Sequence, residues 1–340
     1  MGLSVDPSER EIIEIIRREL GEDSRELLGY PDDASAVRLE RRYLVVNVDV
    51  FDSTTDLLPG MTLYDVGWKS IIMSISDVAA KGARPLACLV GIGLPGLSAE
   101  EIRKLAKGLG DASKHYGVRV WGGDTGFSRH LYVSVTTIGE GEYLVSRKGA
   151  RPGDVVVTTG EYGLTAAAYK ILLEGLEPPS ERDARVILRA AYRPSPDILK
   201  WSALLRHATA SIDSSDGLAV SLHQLAERSE VRIILERVPV SEVARVAMEE
   251  WGLDPVTTAI YEGGEEYELV ACIPRHSLEH ALNDANSVGL EVSVIGVVTE
   301  GGGVWLKRGS ELLPIERRGW VHSTSGGGWV RETADEGRHT

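Results

Sequence analysis

Residues 43–49 read Tyr-Leu-Val-Val-Asn-Val-Asp, an aliphatic run that stops on a carboxylate. The pattern returns at Val118-Arg119-Val120-Trp121-Gly122-Gly123-Asp124 and at Ala210-Ser211-Ile212-Asp213, with Asp216 just beyond. Each run has the composition of a buried strand, and buried strands of an α/β sheet aim their ends at shared crevices. Asp33 stands in a turn-like segment before the first run, and Asp77 follows the apolar positions Val66, Ile71, Ile72 and Ile75 of an expected helix. If these six carboxylates converge, their repulsion needs neutralising, since like charges about 4 Å apart cost on the order of 4 kcal/mol per pair near a protein surface. Oxygen ligands without histidine or thiolate suit Mg²⁺, which usually bridges one or two carboxylates to substrate phosphates. Taken singly, each Asp is better read as capping a helix or solvating a loop, so the spacing alone proves little.

Outward from these runs, strand and helix alternate. Asp6, Pro7 and Glu9 open a helix bearing Ile12, Ile13, Ile16 and Leu20. A strand is expected over 87–92, a helix after the Ser98/Glu101 capping box, strands over 118–121 and 131–138, and a close near Gly141. The turn-rich stretch Lys148–Asp154 begins a second α/β unit with strands over 155–158 and 267–273 and a helix over 164–173. This gives a mixed-sheet α/β chain with domains 1–147 and 148–325 and a loose tail over 326–340.

The 340 residues, 43% hydrophobic and carrying a net charge of −14, suffice for two cores. That charge argues against nucleic acid or an anionic membrane as partner, though not against a polyphosphate bridged by cations. No apolar run of about 18 residues and no signal-peptide block is present, so a cytoplasmic protein is expected. Cys88 and Cys272 have no metal or redox spacing and read as core residues. Gly91–Gly96 spells GxGxxG, but Pro95 removes a donor and no strand-end acid follows, so a turn feeding Ser98 explains it better. His276, Glu279 and His280 spell HxxEH on an outer helix without a third ligand. There is no Walker A sequence.

An ordered set of motifs resembles the thiamine-monophosphate kinase family of the aminoimidazole-ribonucleotide synthetase-like superfamily over nearly the whole chain. It runs through Asp32-Asp33-Ala34, Asp49, Ser76-Asp77 with Ala79 to Pro85, Gly122-Gly123-Asp124-Thr125 and Arg147, then Asp213 to Leu218, Gly263 to Leu269, and Gly319, Trp320 and His322. The resemblance implies a two-domain fold whose N-terminal domain joins a dimer sheet or barrel, with a C-terminal α/β domain. It implies ATP-dependent, direct in-line phosphorylation of thiamine monophosphate by a homodimer, with several Mg²⁺ ions. Asp33, Asp49, Asp77, Asp124, Asp213 and Asp216 are the implied metal ligands, and Gly123, Asp124, Arg147 and Ser215 the implied ATP contacts. Asp77, Asp124 and Arg147 carry the chemistry, and Glu265 and Trp320 face the thiamine, where an indole suits a thiazolium cation. The chain departs from the pattern at Pro31, at Asn47 and Val48 where Ser-Thr is usual, and at Asp56 in place of a histidine on the substrate side. A phosphate monoester is already largely an anion near neutral pH, so no strong general base is needed. Another ATP-dependent synthetase or maturation enzyme of the superfamily, or a non-catalytic nucleotide-binding regulator, is the alternative.

Overall fold

The computed structural model describes residues 9–20, 23–29, 32–321 and 330–331. The first half runs α1 (Glu9–Leu20), β1 (Ser35–Leu39), β2 (Arg42–Asp52), α2 (Leu63–Ala80), β3 (Arg84–Leu94), α3 (Ala99–His115), β4 (Arg119–Phe127) and β5 (Tyr132–Gly141). Its strands form a sheet in the order β1-β2-β5-β3-β4, antiparallel except where β3 meets β4. The Asp6 and Pro7 positions expected to open α1 lie outside the described residues.

Thr62 and Asp65 close a capping box that starts α2, and Ser98 with Glu101 does the same for α3. Nearly every turn of α2 is buried, because it is covered on one side by the sheet and on the other by α3. The helices meet through glycines: a Cβ on Gly67 would lie 2.2 Å from the Leu105 carbonyl oxygen, and one on Gly108 2.0 Å from that of Tyr64. This contact admits no side chain.

The second half runs β6 (Asp154–Thr159), α4 (Leu164–Glu174), α5 (Glu181–Tyr192), α6 (Ser202–Leu205), β7 (Ala210–Asp213), α7 (Leu218–Ser229), β8 (Arg232–Leu235), α8 (Glu242–Glu250), α9 (Pro255–Tyr261), β9 (Leu269–Pro274), α10 (Leu278–Ser287), β10 (Val292–Thr299), β11 (Gly303–Arg308) and β12 (Glu311–Ile315). The sheet order is β12-β11-β8-β10-β6-β9-β7, parallel between β11 and β8 and antiparallel elsewhere. β13 (Trp320–Val321) pairs with β14 (Val330–Arg331). The rest of the expected tail, His322 and Pro31 lie outside the described residues.

One apolar core crosses between the halves, joining Ile71, Ile72 and Ile75 of α2 to Val155, Trp201, Leu269 and Ile273. Polar clips reinforce it: Trp68 Nε1 donates to the Pro194 carbonyl at 2.8 Å, Tyr116 Oη to that of Pro196 at 3.0 Å, and Ser211 Oγ to that of Ala80 at 2.6 Å. α2 is thereby held against β7, which fixes where their carboxylates meet. Cys88 and Cys272 are buried and free, as core residues.

Two strand-end readings need correction. β2 continues past Asp49 to Asp52, and β4 past Asp124 to Phe127. Only Asp213 ends its strand. β9 begins at Leu269, later than expected, because Glu265 and Tyr267 adopt φ of 62° and 54°, outside any strand geometry. Gly91 and Gly93 lie inside β3, and Gly96, with φ of 77°, makes the turn into Ser98.

Candidate carboxylate site between the two halves

Three of the six carboxylates converge. Oxygens of Asp33, from the segment before β1, Asp77, from the last turns of α2, and Asp213, from the end of β7, all lie within 4.8 Å of one another. Asp33 and Asp213 are buried. Asp33 has two cationic partners: Arg147 Nη2 on Oδ1, and Lys81 Nζ 2.5 Å from Oδ2. Asp77 Oδ2 accepts from Asn47 Nδ2 at 2.5 Å, and Asp213 Oδ2 accepts from Ser76 Oγ at 2.7 Å. Asp213 Oδ1 is buried with no hydrogen-bond partner.

Burial, followed by the charges of Asp213, Asp33 and Asp49, raises the Asp77 carboxyl well above the usual range. Burial and then the Asp33 charge raise Asp213 to about 7, against the hydrogen bond from Ser76. Arg147 is pulled both ways: burial disfavours its charge, and Asp33, Asp32 and Asp77 outweigh that and raise it. Four carboxylates, Asp32, Asp33, Asp77 and Asp213, stand against the two cations Lys81 and Arg147, and one of their oxygens is orphaned, so the site is short of positive charge. The donor set is all oxygen, with no thiolate or imidazole within the cluster. It fits a hard divalent cation.

Asp49 shares the α2-facing side of β2 with Asn47, since side chains two apart in a strand point the same way, and its charge reaches Asp77. Asp124 is elsewhere. The register Val50 to Ser134 to Gly91 to Asp124 places it on the opposite, open face of the sheet, on the edge strand three positions from β2. Its Oδ1 accepts the Thr125 backbone N–H at 2.9 Å. The adjacent Gly123 has a packing reason to be glycine, because a Cβ there would lie 1.8 Å from the Val90 carbonyl oxygen. Val48 lies on that same open face, 61% exposed, away from the three converging carboxylates.

The loop after β7 ties this cluster to a second one. Glu265 N donates to the Ser215 carbonyl at 2.6 Å, Tyr267 N to that of Ser214 at 3.0 Å, and Ser214 N to that of Glu268 at 2.7 Å. Ser215 and Asp216 are half-buried in this loop. Glu265 Oε1 lies 2.5 Å from the buried Lys69 Nζ, and Tyr169 Oη donates to Oε2 at 2.7 Å. Asp56 is buried near Glu265 and Lys69, and its Oδ2 accepts the Asp52 backbone N–H at 2.7 Å; burial leads the upward shift of its carboxyl. Glu266 is raised to about 7, chiefly by burial. Glu265 and Tyr267 in the left-handed region concentrate backbone strain where polar groups crowd. Lys69 and Asp77 lie eight residues apart on α2, so about 12 Å separates the two clusters along its axis. Trp320 opens β13, but its side chain is outside the described residues.

Sequence reading singled out neither Lys81 nor Lys69, and gave Asn47 no role beyond a departure. A lysine inside Ser-Asp-Val-Ala-Ala-Lys-Gly-Ala, at the end of an apolar helix, was the available signal for Lys81. His276, in the turn before α10, and His280, on that helix, are exposed and join no grouping of metal-ligating side chains among the described residues.

Residues 31–140 match the AIR synthase related protein, N-terminal domain, and residues 151–307 the AIR synthase related protein, C-terminal domain. The chain is 35% identical over 316 residues to the thiamine-monophosphate kinase of Pyrococcus horikoshii, covering 92% of this chain and 96% of that one. Its fold is similar to the solved structure of AaThiL complexed with AMPPCP and TMP, with a TM-score of 0.79, 30% identity and coverage of 92% and 98%. It is also similar to the thiamine monophosphate kinase of Aquifex aeolicus, with a TM-score of 0.75, 29% identity and coverage of 87% and 96%.

Proposed function

This chain belongs to the thiamine-monophosphate kinase family, and from that premise we propose that it transfers the γ-phosphoryl group of ATP in line to thiamine monophosphate, giving thiamine diphosphate and ADP. The observation that carries the reading is the convergence of Asp33, Asp77 and Asp213 from both halves into a buried cluster short of positive charge. A relative covering nearly the whole chain, complexed with AMPPCP and TMP, supports ATP and thiamine monophosphate as the two substrates.

Magnesium is the cation we assign to the cluster, with Asp33, Asp77 and Asp213 as its first holders, and we add Asp49, whose charge reaches Asp77, and Asp216, three residues after Asp213. A divalent cation held by these carboxylates would supply charge neutralisation for the phosphates. Arg147 is the chain's own cation nearest the phosphates in this reading: its guanidinium rests on Asp33 and would exchange that carboxylate for a phosphate oxygen. Asn47 and Ser76 hold Asp77 and Asp213 in place by hydrogen bonds, so their oxygens need not reorganise as charge develops. The acceptor phosphate is its own nucleophile, so the transfer requires no general base from the cluster.

Glu265, Asp56 and, by resemblance, Trp320 are assigned to the thiamine end. The roughly 12 Å between the Lys69 and Asp77 positions on α2 suits a ligand with phosphate at one end and a polar cationic ring system at the other. Gly123, Asp124 and Ser215 are assigned to ATP. The open face that carries Asp124 also exposes Val48, Val50, Leu89 and Tyr132. We assign that face to a homodimer, in which Asp124 completes a site it does not reach within one chain. A cytoplasmic location fits, and no described helix is long and apolar enough to cross a membrane.

The test is incubation with Mg²⁺, ATP and thiamine monophosphate, with thiamine diphosphate and ADP quantified. Asp77→Asn is expected to lower turnover at least about 100-fold while keeping the native circular dichroism. Release of inorganic phosphate without thiamine diphosphate would replace the kinase reading with that of another superfamily ATPase.

A further inference from the structure

Lys81 follows the last turn of α2 as its C-cap residue, where a cation also complements the helix dipole. Its side chain is wholly buried, and its ammonium group has three polar neighbours: Asp32 Oδ1 at 2.7 Å, Asp33 Oδ2 at 2.5 Å and the Ser211 carbonyl at 2.8 Å. Two of these are hydrogen bonds, to Asp32 Oδ1 and the Ser211 carbonyl, and the third is an ion pair with Asp33 Oδ2. Asp32 is engaged just as fully, since its Oδ2 accepts Ser146 Oγ at 2.8 Å and the Arg147 backbone N–H at 3.0 Å. Ser211 belongs to β7, two residues before Asp213, and Asp33 is itself in the carboxylate cluster. The ammonium thus joins the segment before β1, the end of α2 and the strand of the second half.

The two cations on Asp33 differ in freedom. Arg147 retains 13% of its side-chain exposure, whereas the Lys81 side chain has none. Withdrawing Lys81 would take the cation from Asp33 Oδ2 and the donor from the Ser211 carbonyl, and would leave Asp32 Oδ1 with the Asp33 backbone N–H at 2.9 Å. Withdrawing Arg147 frees only Oδ1.

We propose that Lys81 is a permanent internal counter-ion of the carboxylate cluster, a positioning residue that keeps Oδ2 of Asp33 occupied and leaves only Oδ1 for a divalent cation. It stands in for part of the metal's charge when no metal is bound, and so holds β7 against α2 before substrates arrive. The inference rests on the reading of the cluster as a divalent-cation site. Its cost is affinity, because a fixed positive charge beside the ligands repels an incoming cation.

The test is Mn²⁺ titration of the metal-free, nucleotide-free chain followed by electron paramagnetic resonance, with thermal melting in parallel. Lys81→Met is expected to bind Mn²⁺ more tightly, on the order of tenfold, and to melt lower without metal, with Mn²⁺ restoring more of the loss than it adds to the unsubstituted chain. Asp32→Asn with Lys81→Met removes the carboxylate left without its ammonium, and is expected to keep the tighter binding should the single variant fold poorly. A merely structural lysine would leave metal affinity unchanged or weaken it. Equal or weaker Mn²⁺ binding by the folded double variant would overturn the role of Lys81 while sparing the cluster. Failure of the unsubstituted chain to bind Mn²⁺ at all would overturn the cation-site reading beneath it.

Discussion

Asp213 shows how one buried side chain links stability to ligand binding. Its carboxyl is raised to about 7, mainly by burial, and Glu266 and Glu268 are raised to about 7 for the same leading reason, while Asp77 is also raised well above the usual range. Unfolded, such groups titrate near 4. The native state therefore holds protons that the unfolded state has released, and the metal-free protein loses stability as pH rises from about 4 through 7. We expect its melting temperature to fall between pH 5 and pH 8, and the slope to shrink in Asp213→Asn. Mg²⁺ with nucleotide is expected to flatten it as well, by supplying the charge the protons supplied. A melting temperature that climbs across that window would contradict the burial of these carboxyls. The candidates Asp33, Asp77 and Asp213 were legible from their motifs. Their partners were not: Asn47 bonds Asp77 thirty positions away and Lys81 meets Ser211 across 130, separations that no local pattern encodes.

Among the elements, α2 carries the most. It supplies Lys69, Ser76 and Asp77, precedes Lys81, and reaches both the first sheet and β7. Its line is set by the glycine contact with α3. Gly108→Ala would bring a methyl against the Tyr64 carbonyl oxygen, and backbone on both sides leaves little room to yield. We expect a loss of about 1–3 kcal/mol by denaturant titration, together with weaker metal binding as Asp77 moves away from Asp213. Wild-type stability would show that the helices can separate at little cost. The existence of α2, β2 and β7 was readable from apolar periodicity, and the α3 start from its capping box. Strand ends were less so. β2 runs on past its acid because the open face tolerates Val50, β4 because its pairing with β3 continues to Phe127 opposite Leu94, and β9 starts late because the loop before it is held at positive φ. Short β1 lies among charged residues and offered too little alternation to be noticed.

At the scale of the whole molecule, the open face of the first sheet is the feature a single chain leaves unresolved. Val48 is 61% exposed and Val50 45% on β2, and Leu89 is 41% exposed on the same face of β3. Such a surface is expected to be covered. Substituting Val48→Asp is expected to shift the chain from dimer to monomer in light scattering and to lower activity with the face that bears Asp124. An unsubstituted chain that is monomeric while fully active would remove the dimer from the account. What the sequence could not supply is which face each acid takes, because a one-residue difference in strand parity sends Asp49 toward α2 and Asp124 away from it. The claim on which the rest stands is that Asp33, Asp77 and Asp213, drawn from both halves, hold a divalent cation. Anomalous diffraction from crystals grown with Mn²⁺ and a non-hydrolysable ATP analogue tests it most directly. The account predicts a peak in contact with the Asp77 and Asp213 carboxylates, at about 2.0–2.4 Å; a peak bound elsewhere, with these oxygens still facing only Asn47 and Ser76, would contradict it.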